Sequence, residues 1–274
     1  MTLRTRNKIT RIFTFFTAIM SVFFILFLIF HAFQQDSTYR SFSLFQFQDW
    51  KDFLFTQNTT AAIFSILLLM IYAPITGLFI LSNFEKTHSS EILYYNVFLL
   101  GCFLESSRIL IPLFVSWNEL SVLIEYSARI TFFGEMLSIF CLLGIGVSAM
   151  SSEVQDSGRN ILLFLIASVF FATLVPINTT VITQALRVTT GFSIIIQMIR
   201  IFFICTSTIS YIVTGIKTNS KELFYLAIDF LIMGISYSLL LYTSSFFLCF
   251  LSALLMSIFT AHFIKNLHTY YMWK

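Results

Sequence analysis

The chain has 274 residues, 58% hydrophobic and only 11% charged, with a mean hydropathy of +0.88, and such a composition cannot clothe a water-soluble surface. Its 16 Lys and Arg and 13 Asp and Glu stand against 35 Phe, so acyl chains must wet most of the exterior; a soluble enzyme, a nucleic-acid binder and a disordered chain are excluded. The net charge of +3 is small and sits mostly in short connections, where it reports orientation in a bilayer.

A helix needs about 20 apolar residues to cross about 30 Å of hydrocarbon, and eight runs of that kind predict an all-α polytopic transmembrane bundle forming a single membrane domain. The first covers residues 12–33. It is too long for the apolar region of a signal peptide, and His31-Ala32-Phe33-Gln34 offers no small-residue cleavage site, so it reads as a retained helix. Residues 34–60 form the longest connection, an outer interfacial loop in which Tyr39, Phe42, Phe45, Phe47, Trp50, Phe53 and Phe55 make an aromatic anchor or a lid over an outward cavity. The second span is 61–83, followed by a break at Glu85-Lys86-Thr87-His88.

The third span, 93–115, carries Gly101, Glu105, Arg108 and Pro112 along one stripe, because residues three, four or seven apart share a helix face. After Trp117-Asn118-Glu119 the fourth span, 122–147, carries Glu125 and Arg129 at i, i+4, and Glu135 further round. The fifth is 161–182, its apolar core ending at Ile177 beyond Pro176. The sixth, 191–214, lines up Ser193, Gln197, Arg200, Ser207 and Tyr211, and the seventh, 223–243, carries Asp229. The eighth is 246–264. Only Thr243, Ser244 and Ser245 separate it from the seventh, and one continuous helix of both would be twice the membrane thickness, so a tight hairpin is expected.

Eight spans make the cations alternate. Arg4, Arg6, Lys8, Arg11, Lys86, Arg159, Lys217, Lys221, Lys265 and Lys274 fall on one side, whereas Arg40, Lys51 and Arg187 fall on the other, which places both termini in the cytoplasm. Asn58-Thr59-Thr60 and Asn178-Thr179-Thr180 match a glycosylation acceptor on the outer side, but each abuts a span. The short loops and Phe-rich, Gly-poor usage fit a bacterial plasma (inner) membrane.

The expected site is a central polar cavity. A charge near the bilayer centre costs about 2.5 to 3.5 kcal/mol on insertion scales, more than the roughly 0.6 to 2 kcal/mol that a hydrogen bond between spans returns. Glu105, Arg108, Arg129, Glu135, Gln197, Arg200 and Asp229 are therefore expected to line a ligand or coupling-ion cavity contributed by the third, fourth, sixth and seventh spans. Arg108, Arg129 and Arg200 would hold an anion or carboxylate; Glu105, Glu135 and Asp229 would be their counter-ions. The first, second, fifth and eighth spans, without ionisable residues in their middles, would form the lipid-facing shell.

No catalytic residue, metal site or cofactor is expected. His31, His88, His262 and His268 sit at span ends or in loops, His262 and His268 with Tyr270, Tyr271 and Trp273 in an interfacial aromatic belt, and no H-E-x-x-H, G-x-S-x-G or Walker A pattern occurs. Cys102, Cys141, Cys205 and Cys249 lie in apolar stretches as small packing residues. The expectation is non-enzymatic ligand sensing within the membrane, with a membrane or cytoplasmic signalling partner. The alternatives are a proton- or ion-coupled carrier of a small charged solute and an accessory subunit of a membrane complex.

Overall fold

The structure, a computed structural model, describes residues 3–34, 58–84, 89–116, 121–150 and 156–272. The elements in chain order are α1 (Leu3–Gln34), α2 (Thr59–Phe84), α3 (Ser90–Glu105), a 3-10 segment (Ser106–Ile109), α4 (Leu110–Ser116), α5 (Ser121–Met150), α6 (Ser157–Leu174), β1 (Ile177–Ile182), β2 (Val188–Thr190), α7 (Ser193–Thr218), α8 (Lys221–Tyr242) and α9 (Phe246–Met272). Most of the 34–60 loop with its aromatic residues, the break at Glu85 to His88, Trp117 to Glu119, and Trp273 lie outside the described residues.

Seven of these helices are long and apolar enough to cross a membrane: all but α3 and α4. The predicted third span is helical from Ser90 to Ser116, but the α-helix tightens into 3-10 turns over Ser106–Ile109. Pro112 explains the change, because its ring nitrogen gives no hydrogen bond to the Arg108 carbonyl one turn back and its ring crowds that turn. Pro74 inside α2 likewise orphans the Met70 carbonyl. There the neighbouring helix compensates: Ser21 Oγ of α1 lies 3.1 Å from Met70 O, sharing its proton with Thr17 O at 2.7 Å. Such repair from a neighbouring helix is what lets a bilayer-spanning helix keep a proline.

Neighbours pack in consistent directions. Arg6 against Phe84, Thr14 against Gly77 and Ser21 against Met70 set α1 antiparallel to α2. Tyr94 against Gly144, Gly101 against Gly134 and Ser107 against Thr131 set the α3 rod antiparallel to α5. At its centre the backbones touch: a Cβ on Gly134 would lie 2.7 Å from Gly101 O and 2.8 Å from Glu105 N. Close approach of small residues is the usual way helices associate where solvent supplies no hydrophobic drive. By contrast α5 and α7 are parallel, with Glu135–Arg200 and Leu142–Ser207 contacts at the same offset of 65 residues. The α7–α8 turn is closed by Asn219 in the left-handed region (φ 50°), with Ser220 N donating to Gly215 O at 3.2 Å.

Two expectations are corrected here. The predicted fifth span ends as a helix at Leu174, not at Ile182, and is followed by an antiparallel hairpin, β1 with β2, in register Ile177↔Thr190 and Asn178↔Thr189. Pro176 stops the helix, and the β-branched run Ile177-Asn178-Thr179-Thr180-Val181-Ile182 favours a strand. The hairpin folds back onto the bundle: Ala185 and Leu186 at its tip are buried, Leu186 beside Ala62, Ile66 and Ile109. Leu186 is held at φ 56°, a conformation an apolar residue adopts only when its surroundings impose it.

The second correction concerns the shell. The apolar stretches of α6 and α1 are 11% and 22% buried, but α2 reaches 56%, equal to α8, and α9 matches α7 at 33%, so the second and eighth spans do not separate from the expected interior ones. α1, α3 and α9 all pack against α2, and Tyr72 is the polar tie. Its hydroxyl lies 2.6 Å from Tyr95 OH of α3 and 2.7 Å from Thr260 Oγ1 of α9, tying α2 into the interior.

Candidate functional site

Glu135, midway along α5, is the hub. Its carboxylate accepts from both Arg200 of α7 and Arg187 of the hairpin, and Tyr242 OH donates to it at 3.3 Å while accepting from Arg200 at 3.2 Å. The Glu135 side chain is 3% exposed and that of Arg200 2%. Aromatic rings complete the setting: Arg187 lies 4.7 Å and Arg200 5.1 Å from the Tyr242 ring centre, and Arg200 lies 5.9 Å from that of Tyr237. Tyr237 OH in turn donates to Glu105 Oε1 at 2.9 Å. Glu105 closes α3 where the 3-10 segment begins, so one connected path runs Glu105, Tyr237, Arg200, Glu135, Arg187. The structure thus brings Glu105, Glu135 and Arg200, three of the residues singled out from the sequence, onto one connected path.

The other expected members have different partners. Arg108 is buried but contacts no carboxylate among the described residues; it donates to Leu241 O at 2.7 Å and Ser65 Oγ at 3.2 Å, with Ala185 O at 3.5 Å. Leu241 belongs to the last turn of α8, whose carbonyls have no intrahelical donor. Arg129 does the same for α6, donating to Ala172 O at 2.8 Å and Thr173 O at 3.1 Å while paired to Glu125 at 2.7 Å. With side-chain exposures of 31% and 47%, the Arg129–Glu125 pair stands away from the hub. Arg129→Gln is therefore expected to lower stability by no more than about 1 kcal/mol, checked by thermal unfolding of the purified protein. Asp229 faces α9, where His262 Nδ1 lies 2.7 Å from its carboxylate and Asn266 donates at 3.0 Å, and among the described residues it pairs with no arginine. Cys102, Cys141 and Cys249 are buried and Cys205 is exposed, all as free thiols.

A cavity of about 420 Å³ opens beside the hub, walled by Glu135, Gln197, Tyr242 and Ser244 and roofed by the hairpin through Thr183, Arg187 and Thr190. Gln197 lies on its wall, and the first turn of α7 contributes Ser193. Among the described residues, several buried polar atoms around the hub lack a protein partner: Glu105 Oε2, Arg187 Nη1, Arg200 Nε and Ser138 Oγ. Such atoms cost free energy unless something bonds to them.

Arg187, Tyr237 and Tyr242 are the members that sequence reasoning missed. By its place in the sequence Arg187 reads as an outer loop charge. The signal that could have found it is the strand-like run after Pro176, which returns the loop to the bundle. The tyrosines sit at i, i+5 near the end of a span, where the interfacial reading competes.

Fold and composition together define a multi-pass helical membrane protein. No protein-family model matches the chain. It is similar to an "Uncharacterized protein" of Treponema pallidum (strain Nichols), 25% identical over 114 residues. The match takes in 42% of this chain and 32% of the relative, so the chain spans about a third of that relative's length.

Proposed function

We propose that the protein is a non-enzymatic binding module of a bacterial plasma membrane. It spans the bilayer eight times, counting the Ser90–Ser116 rod, keeps both termini in the cytoplasm, and senses a small polar solute that enters the cavity under the hairpin from the outer side. The observation that carries this reading is the hub of Glu135 with Arg187 and Arg200 opening onto a cavity of about 420 Å³ with a mixed polar and apolar lining, a size within the usual range for small-molecule sites. The grouping of connections onto two sides is supported by which ends meet, and the cation count then sets which side is inner. Asn58 N donates to Ser244 O at 2.7 Å, joining connections expected on the outer side, whereas Tyr271 OH donates to Glu91 at 2.8 Å and Asn160 Nδ2 to Tyr94 OH at 3.2 Å at the opposite end. A bacterial source is in keeping with the Treponema relative.

Thermal unfolding of the detergent-purified protein against a library of polar solutes tests the binding reading. At least one solute should raise the midpoint saturably, and Ser193→Trp, which fills the mouth of the cavity, should remove that shift. No shift from any solute, or a shift that survives Ser193→Trp, sinks it.

A coupled carrier is the second reading, favoured by the helix interruption at Ser106–Ile109 beside the buried Glu105, since carriers place broken helices at their sites. Uptake into proteoliposomes that needs a proton gradient and disappears in Glu105→Gln would decide for it.

A further inference from the structure

We infer that the cavity takes an oxyanion, the carboxylate or phosphate group of its ligand, held by the Arg187 guanidinium at the mouth of α7; this rests on the binding reading above.

The charges around the hub do not balance. Arg187 and Arg200 share the one carboxylate of Glu135, Arg108 is spent on carbonyl and hydroxyl acceptors, and Glu105 bonds to a tyrosine hydroxyl. Three guanidinium groups thus face two carboxyl groups, and only one of those carboxyls bonds to a cation among the described residues. A buried guanidinium without full compensation costs several kcal/mol; an anion supplied from outside offsets it. Position then selects the holder. Arg187 lines the cavity and Arg200 does not, and Arg187 Nη1 has no protein partner among the described residues. Its planar fork is suited to two oxygens of a carboxylate or phosphate at once.

The surroundings supply a second source of positive potential. α7, 26 residues long, begins at Ser193 on the cavity wall, and its N-cap, Phe192, makes no side-chain hydrogen bond to the first turn. The leading N–H groups of a long helix attract anions. Thr190, Ser193 and Gln197 add side-chain donors on the same wall, whereas Glu135, the one acid there, already carries both arginines. Arg108 and Arg129, expected from the sequence to hold an anion, cap helix ends and do not line this cavity.

The test uses the full chain in nanodiscs, titrated with succinate, L-glutamate, glycerol 3-phosphate and inorganic phosphate, with sodium chloride at matched ionic strength and a neutral panel of sugars and polyols. At least one oxyanion should stabilise the protein saturably beyond chloride. Arg187→Gln should weaken that binding about tenfold or more, and Arg187→Lys, which keeps the charge but loses the fork, should fall between. Arg129→Gln should bind as the parent does. Should Arg187→Gln fail to fold, Gln197→Ala and Arg187→Lys carry the comparison. Discs of phosphatidylcholine with and without phosphatidylglycerol separate a lipid headgroup from a free solute: stabilisation by the anionic lipid that depends on Arg187 assigns the oxyanion to the headgroup. Oxyanions no better than chloride, or binding indifferent to Arg187, overturn the inference. Neutral solutes binding in its place leave the sensor reading standing without it, and no solute binding at all removes both.

Discussion

Glu135→Gln should be the most damaging single substitution of an ionisable side chain in this protein, with an expected loss of about 3 to 5 kcal/mol, the range for breaking a buried ion pair by removing one partner. The change is nearly isosteric, so packing is kept and the loss reports charge. It leaves Arg187 and Arg200 sharing an amide that cannot neutralise either. Arg200→Gln made alone is expected to be milder, since Glu135 keeps Arg187. In the double variant the excess cation and its missing acid disappear together, so the two effects should fall short of additivity by at least about 1 kcal/mol. Thermal or denaturant unfolding in a defined detergent measures all four corners of the cycle; strict additivity would show that the pair is not coupled.

Gly134→Ala should be nearly as costly although it adds one methyl group. The new Cβ would meet Gly101 O and Glu105 N at 2.7 and 2.8 Å, and both are backbone atoms that cannot rotate away. α3 must therefore separate from α5, and Glu105 moves with it relative to Tyr237. The expected loss is about 3 kcal/mol, at the upper end for overpacking, together with weaker solute binding. Gly158→Ala is the control, because a Cβ there meets nothing within 4 Å. Equal melting temperatures for the two variants would refute the close crossing.

These residues show what the amino-acid order could and could not disclose. Glu105, Arg108, Glu135 and Arg200 stood out because a charge inside an apolar run is expensive, and all four are buried in the bundle. Their partners were harder to foresee. Arg108 and Arg129 satisfy the final carbonyls of α8 and α6, and no spacing rule names the helix end that a distant arginine will reach. Asp229 was partly within reach: α8 and α9 are joined by the turn at Thr243 to Ser245, so residues at comparable distances before and after it become neighbours, as Asp229 and His262 do. Arg187 is hidden from the sequence for a more general reason. Counting loop cations to orient the spans presumes that loops stay outside, and a hairpin that folds back between helices violates that presumption. The helical class itself was legible from hydropathy alone, but the interruption at Ser106–Ile109 depends on what Pro112 does one turn upstream.

The order of the hub along the chain bears on how the protein is made. Glu135 leaves the ribosome 52 residues ahead of Arg187 and 65 ahead of Arg200. At about 5 to 20 residues per second, the acid waits roughly 3 to 10 s for its first base. During that interval the α5 segment holds a carboxylate with neither arginine yet emerged, and α3 with its glycine crossing is an earlier helix able to shield it. Biogenesis thus has a vulnerable window, one that slowed translation between α5 and the hairpin would lengthen and membrane quality-control proteases could exploit.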